Sequence, residues 1–126
     1  MVASAVIVRD FSFSREPDDS KKLSSKAREA LYDEILTKCR VGVGIVDAGT
    51  IDRVNILQAT YRAMEEAVEK LGTKPDQVLV DGNRLPKLDC RMTAVVDGDA
   101  KSFSIACASV IAKVTRDRLM DYYDEV

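Results

Sequence analysis

The sequence predicts an α/β fold in which helices flank a mixed central sheet, and three observations support this. Short runs of β-branched and apolar residues alternate with longer segments whose apolar residues recur at helical spacing. The 126 residues are 46% hydrophobic and 32% charged, which is typical of a globular chain with a real core. No repeat, low-complexity tract or linker divides the chain, so we expect one domain or part of one over 1–126.

The first elements follow from composition and spacing. The β-branched stretch ASAVIVR predicts a strand over 3–9, and the polar stretch at 12–22, which contains a proline, predicts a loop. Ser24 or Ser25 can cap a following helix. The apolar stripe of that helix repeats every four residues, at Ala27, Leu31 and Ile35.

The middle of the chain predicts a strand and a long helix. Residues 41–46 read VGVGIV, a strand with apolar residues on one face and glycines on the other, where something must approach closely. A helix is predicted from about Asn55 to Leu71, with Gly72 ending it in the left-handed conformation. Its expected buried stripe is Leu57, Tyr61, Met64, Val68 and Leu71.

The last third predicts two more strands and a closing helix. Residues 78–80 are apolar and predict a buried strand that ends at Asp81. MTAVVD at 92–97 is the next candidate strand, followed by the turn-like DGDAKS. The final helix, roughly 103–124, is rich in small residues that allow close approach to a sheet: Ala106, Cys107, Ala108, Ser109 and Ala112.

Composition excludes several kinds of chemistry. The chain has no histidine, which excludes Ser-His and Cys-His nucleophile pairs and imidazole metal sites. Its three cysteines are widely spaced, which favours reduced thiols and a cytoplasmic location. No apolar run is long enough to span a membrane, and no signal peptide is recognisable. The net charge of −2 means that any nucleic acid must be held by local basic patches.

Two aspartates follow the predicted strands of the last third. Asp81 leaves one strand, and Asp99 follows the next, with Lys101 two residues further on. If the strands are neighbours, both carboxylates meet at one edge of the sheet and offer oxygen ligands of the kind that Mg²⁺ or Mn²⁺ accept. Aspartates after strands also form turns, so residue spacing alone leaves the structural and the metal-binding interpretations open.

Basic residues cluster in three places, and each cluster is open to two interpretations. Such groups usually form solvated faces, although a helix N-terminus with adjacent lysines also suits phosphate. The clusters are Lys21, Lys22 and Lys26 at a helix start, Arg84, Lys87 and Arg91 flanking Asp81, and Lys113, Arg116 and Arg118 on the last helix.

Four segments together resemble bacterial ribonuclease HII, a ribonuclease H type 2 family. They occur in the family's order and span nearly the whole chain, which makes the resemblance specific. The segments are DDSKKLSSKAREALYDEI, IDRVNILQAT, VLVDGNRLPKL and GDAKSFSIACASVIAKVTRDRLM.

The resemblance implies a ribonuclease H-like fold and a hydrolase that cuts phosphodiesters as an endonuclease. Such enzymes hydrolyse the RNA strand of RNA–DNA hybrids and cut at ribonucleotides embedded in duplex DNA. They use Mg²⁺ or Mn²⁺ in a two-metal site and leave 3′-hydroxyl and 5′-phosphate ends. Their metals are held by four acidic residues.

The resemblance also assigns residues to roles. Asp81 and Asp99 fall on two of the four metal-binding, catalytic positions. Asp97 is an alternative on the same strand face, and Asp117 is interpreted as a helix salt-bridge residue. The nucleic-acid contacts that the resemblance implies are Ser20, Lys21, Lys22, Asn83, Arg84 and Lys101.

The sequence departs from the family pattern at both ends. The family begins with a strand bearing an adjacent Asp-Glu pair and a Gly-Arg-Gly turn, and it has a later tyrosine segment. None of these is recognisable in the 126 residues, since Tyr122 and Tyr123 come too early. The resemblance therefore implies a ribonuclease H-like domain truncated at both ends, with an incomplete metal site and an unpaired sheet edge.

Three functional interpretations follow. The first is an endoribonuclease family member that is inactive or impaired as this chain, because two carboxylates bind hard cations weakly. The second is a non-catalytic module that binds RNA–DNA hybrid. The third is a fragment that is active only when complemented by an N-terminal segment. We expect a monomer whose exposed sheet edge allows self-association, and no membrane partner.

Overall fold

The computed structural model describes residues 1–9, 12–13, 24–47, 49, 55–82 and 85–125. The strands and helices follow in the predicted order, and the bounds of each predicted element agree to within a few residues. In chain order the elements are β1 (Val2–Val8), α1 (Ser25–Lys38), β2 (Cys39–Ile45), α2 (Ile56–Glu69), β3 (Gln77–Asp81), β4 (Arg91–Val95), α3 (Gly98–Lys101) and α4 (Phe103–Glu125).

The four strands form one antiparallel pair and one parallel pair. β1 pairs antiparallel with β2, so that Val2 lies opposite Ile45. β3 pairs parallel with β4, so that Asp81 lies opposite Val95. Within the described ranges the two pairs are separate sheets, whereas the sequence predicts one mixed central sheet. The two sheets are separated by a slot between β1 and β3 that no described strand fills.

Helices cover both faces of the β1–β2 sheet. Side chains alternate along a strand, so odd and even residues of β1 face opposite layers. Ala3 packs with α2, against Ala59 and Ala63, whereas Val6 and Val8 pack into the cluster formed by α1 and α4. The sheet is therefore the middle layer, with α2 on one side and α1 and α4 on the other.

The main core lies between α1, α4 and the sheet. Leu31 and Ile35 are buried on α1, as the predicted stripe requires, and Ser24 caps this helix by accepting a hydrogen bond from the Ala27 N–H at 3.2 Å. The small and β-branched residues of α4 that pack against them are Cys107, Val110, Ile111 and Val114.

The packing of α2 corrects one prediction. The apolar residues that the sequence predicts to be buried on α2, from Leu57 to Val68, are only half-buried, and only Leu71 is fully buried. The fully buried face of α2 consists of three alanines, Ala59, Ala63 and Ala67. The reason is the glycine face of β2. A Cβ at Gly42 or Gly44 would overlap a backbone carbonyl of α2, so the helix lies directly on the strand and only alanine fits between them.

Two further expectations differ from the structure. Residues 78–80 predict a buried strand, but only Val80 is buried in β3, and Leu79 is 42% exposed because it borders the slot. The segment DGDAKS predicts a turn, but its residues form the short helix α3, and the chain leaves β4 two residues earlier than expected. No helix in the part of the chain that the structure describes is long and apolar enough to cross a membrane.

The buried cysteine pair predicts a loss of stability at alkaline pH. Burial raises the pKa of Cys107 from 9.0 to about 12, and neighbouring Cys39 adds to the rise. Between these values the folded chain keeps a proton that the unfolded chain has lost, so the free energy of unfolding is intact below pH 9 and falls as pH rises toward 12. We expect a fall of about 1.4 kcal/mol per pH unit in this window, measured by urea unfolding.

The control for this prediction is Cys107→Ala, which removes the titrating thiol. The variant should start from a lower stability because it leaves a small cavity, but its stability should decline less steeply above pH 9. Equal slopes for the two proteins would show that Cys107 is not the group responsible.

Candidate active site at the carboxyl end of β3

Asp81 and the segment containing Asp99 meet at one edge of the β3–β4 sheet. Asp81 is the last residue of β3, and because the strands are parallel, β4 ends beside it. The Gly82 N–H continues the pairing by donating to the Val95 carbonyl at 3.0 Å. Asp99 follows four residues after Val95, in the first turn of α3. The neighbouring strands that the prediction required are therefore present.

A backbone hydrogen bond fixes the Asp81 carboxylate. The Gly98 N–H donates to Asp81 Oδ1 at 2.9 Å, which links the end of β3 to the start of α3. This contact depends on the turn before it, where Asp97 adopts the left-handed conformation with φ 54° and ψ 43°. Asp97 therefore lies in a turn and not on a strand face with Asp99, which corrects its predicted placement.

Gly98 is the residue of this site that sequence reasoning missed. It is buried, and a Cβ there would lie 2.7 Å from Ile105 Cδ1 and 3.2 Å from Asp81 Oδ1. A side chain would push against α4 and against the carboxylate at once. The available signal was the Asp-Gly dipeptide after a strand, which marks a turn but does not reveal a hydrogen-bond donor to Asp81.

The two carboxylates differ in exposure. Asp81 is exposed at the rim, whereas Asp99 is half-buried. Lys101 ends α3 and is exposed two residues beyond Asp99, so it adds positive charge at the same edge. The other residues predicted to contact nucleic acid lie outside the described residues: Ser20, Lys21, Lys22, Asn83 and Arg84.

The remaining charged candidates on α4 form ion pairs. Lys113 pairs with Asp117 at 3.0 Å, one turn along the helix, which confirms the salt-bridge interpretation of Asp117. Arg118 donates to Glu29 and lies over the ring of Tyr32, 4.4 Å from its centroid. The Arg118 contacts join α4 to α1, and both sets of contacts favour the structural interpretation of the basic cluster on α4.

The ligand chemistry at this edge fits part of a divalent-cation site. Carboxylate oxygens are the ligands that Mg²⁺ and Mn²⁺ prefer, and the Gly98 contact holds one of them in place. Among the described residues, no group of three or more His, Cys, Asp or Glu side chains lies close enough together to hold a metal. Asp81 and Asp99 are two of the oxygen donors that such a site would use.

Comparisons with known proteins agree on one family. The family model for ribonuclease HII matches residues 1–126. A ribonuclease HII of Lachnoclostridium phytofermentans is 50% identical over 127 residues, covering 100% of this chain and 50% of its own length. A ribonuclease HII of Geotalea daltonii is 50% identical over 125 residues, with coverage of 98% and 58%. The chain thus spans about half the length of the curated relatives it matches.

Solved structures give the same fold. Ribonuclease HII in a PCNA:RNase HII complex from Archaeoglobus fulgidus has a TM-score of 0.81 and 27% identity, covering 98% of this chain and 68% of that one. Ribonuclease H2 from Pyrococcus horikoshii OT3 has a TM-score of 0.77 at 21% identity, covering 99% and 76%, and supports the fold alone. The predicted ribonuclease H-like α/β class is confirmed, and the chain belongs to the ribonuclease HII family.

Proposed function

We propose that this chain carries part of the active site of an endonuclease that cuts the RNA strand of RNA–DNA hybrids and single ribonucleotides embedded in duplex DNA. Family membership supports this substrate class. The observation that carries the proposal is the parallel β3–β4 pair, which places Asp81 and the Asp99 segment at one edge, with Asp81 held by the Gly98 N–H. We propose the cytoplasm as its location.

Asp81 and Asp99 would hold Mg²⁺ or Mn²⁺ in the proposed site. When bound, a pair of such ions supplies an activated water and stabilises the leaving oxygen, which yields 3′-hydroxyl and 5′-phosphate ends. The chain's own contribution is to position charge. The Gly98 N–H fixes the orientation of the Asp81 carboxylate, and the short helix α3 presents Asp99 and then Lys101 at the same edge.

Lys101 is proposed to contact the nucleic-acid backbone. Its side chain is exposed and offers a compact positive charge beside the carboxylates, where a phosphate must approach. The proposed contacts from Ser20, Lys21, Lys22, Asn83 and Arg84 rest on the family resemblance of their segments. Local charges are needed here because the chain as a whole carries a net charge of −2.

We expect the 126-residue chain by itself to cleave weakly. Affinity for a hard cation depends on the number and charge of its oxygen ligands, and the described part of the site offers two carboxylates. On a duplex with one embedded ribonucleotide and Mn²⁺, its rate should be at least about 100-fold below that of the full-length Lachnoclostridium phytofermentans relative. The measurement is single-turnover cleavage followed on a denaturing gel.

Two controls make this assay decisive. An all-DNA duplex should not be cut, and EDTA should abolish any cleavage of the ribonucleotide-containing one. A rate equal to that of the relative would show that two carboxylates suffice. Cleavage that persists in EDTA would contradict a metal-dependent site.

We propose as a second candidate a hybrid-binding module without turnover, for which Lys101 supplies exposed positive charge at this edge. In that case the chain would bind an RNA–DNA hybrid, and its affinity would fall as salt increases, because phosphate contacts release counterions. Fluorescence anisotropy at several salt concentrations measures this. Binding that depends on salt, together with no cleavage in Mn²⁺, would favour this candidate over the first.

A further inference from the structure

Gly98, whose N–H holds the Asp81 carboxylate, is itself held by Ser102. The Ser102 N–H donates a hydrogen bond to the Gly98 carbonyl at 2.8 Å. Gly98 therefore has one main-chain bond on each side, since its own N–H donates to Asp81 Oδ1 at 2.9 Å. A movement of the Ser102 main chain would be passed on to the residue that orients the carboxylate.

Ser102 also caps the long helix α4. Its backbone is extended, with φ −127° and ψ 125°, and its carbonyl accepts the first helical hydrogen bond, from the Ala106 N–H at 2.9 Å. Its side-chain Oγ accepts from the Ile105 N–H at 3.3 Å. This backbone geometry and this third-residue partner are those of a serine N-cap. Ser102 thus joins the end of α3 to the start of α4.

The short helix α3 depends on this junction for its position. A helix of four residues is not stable by itself, because one turn fixes several backbone angles for few hydrogen bonds. The bonds that hold α3 run from Ala100 to Asp97, at 3.0 Å, and from Ser102 to Gly98. In contrast, α4 has 23 residues and is anchored in the core from Ile105 onward. The anchored helix therefore sets the position of the short one through Ser102.

Both proposed metal ligands depend on the placement of α3. The Asp81 carboxylate is exposed at the rim, where water competes for it, and the Gly98 N–H gives it a fixed partner. Asp99 lies in α3 itself, between Gly98 and Ser102 along the chain. A shift of α3 would move the donor to one carboxylate and the main chain of the other.

We propose that Ser102 is a positioning residue of this site. By capping α4 and bonding to Gly98, it holds α3 in one place and so keeps the two carboxylates in one relative orientation. The inference rests on the proposed function, because it assigns a further role within the same site. Groups that orient metal ligands from behind raise metal affinity, because the ligands no longer have to be ordered when the metal binds.

A purely structural cap is the alternative, and α1 provides a matched comparison for it. Ser24 caps α1 in the same way, with its Oγ accepting from the Ala27 N–H at 3.2 Å. That helix packs against α4 and β2. If a serine cap only stabilises its own helix, loss of either hydroxyl should have the same consequences throughout the molecule.

Amide hydrogen exchange of Gly98, measured by NMR on the intact chain without metal, tests the proposal. Ser102→Ala removes the cap and should speed exchange at Gly98 about fivefold or more, since the first turn of α4 and the residue bonded to Gly98 both loosen. Ser24→Ala should leave this amide unchanged, although both variants should lower the urea midpoint. Ser102→Thr keeps an accepting hydroxyl and should restore the exchange rate of the parent chain.

Mn²⁺ affinity, measured by isothermal titration, provides the second readout. Ser102→Ala should weaken Mn²⁺ binding about tenfold, the loss typical of removing a group that orients a metal ligand. Ser24→Ala and Ser102→Thr should bind Mn²⁺ as the parent chain does. A merely structural role would give the two alanine variants equal affinities, and that result would overturn the proposal.

The exchange measurement separates this proposal from the nuclease site on which it rests. Equal exchange at Gly98 in the two alanine variants, or a threonine variant that behaves like Ser102→Ala, would overturn the role of Ser102. A parent chain that binds no Mn²⁺ would instead contradict the proposed metal site. The Gly98 amide would still decide whether Ser102 holds the residue that orients Asp81.

Discussion

Gly44→Ala is expected to lower the free energy of unfolding by about 3 kcal/mol or more, a large part of the stability of a domain. A Cβ at Gly44 would overlap the carbonyl oxygen of Ala63 in α2. Because the contact is with backbone, no change of rotamer relieves it, and α2 must move away from β2. The measurement is the urea midpoint followed by circular dichroism, with the variant unfolding at much lower urea.

The matched control is Gly49→Ala. A Cβ at Gly49 would meet its nearest neighbour, Asp47 Oδ1, at 3.5 Å, which is ordinary van der Waals contact. Its stability should stay within about 0.5 kcal/mol of the parent chain. If both variants unfold at the same urea concentration, α2 does not lie on the glycine face of β2 as closely as described.

Asp81→Asn is expected to reduce Mn²⁺ affinity by at least about tenfold, because the proposed site would lose one of its two proposed anionic ligands. Any metal-dependent cleavage should fall with it. Asparagine keeps an oxygen that can accept the hydrogen bond from the Gly98 N–H, so the fold should be preserved. Isothermal titration with Mn²⁺ measures the affinity, and the ribonucleotide-containing duplex reports cleavage.

Asp97→Asn is the control for this charge change. Asp97 lies in the same turn, and asparagine tolerates its left-handed conformation, so the variant removes one nearby charge without straining the backbone. Its Mn²⁺ affinity should change much less than that of Asp81→Asn. Robust cleavage that survives Asp81→Asn, or equal effects of the two changes, would show that Asp81 is not a metal ligand.

Local signals predicted most of the fold. The β-branched run at β1, the capped stripe of α1 and the glycine alternation of β2 each gave the correct element, because each depends on residues within one segment. The glycines even indicated a close neighbour, which is α2. The buried face of α2 was predicted wrongly because hydropathy favours large residues, whereas contact with a glycine strand selects alanine.

The candidate site was predictable only in part, because it depends on contacts between segments as well as on residues within one segment. Asp81 stood out because it follows an apolar strand, and Asp99 because it follows the next one. Their meeting depends on parallel pairing, which spacing leaves open and the structure supplies. The role of Gly98 was hidden because its donor is a backbone N–H that sequence patterns do not display. The assignment of both aspartates as metal ligands stays a prediction.

Ile105 gives the slot and the carboxylate a common neighbour. Its side chain lines the slot and also lies against Gly98, whose N–H holds Asp81. A substitution that repacks Ile105 would therefore move the Gly98 N–H and reorient the Asp81 carboxylate, so the packing beside the slot is coupled to the geometry of the proposed site.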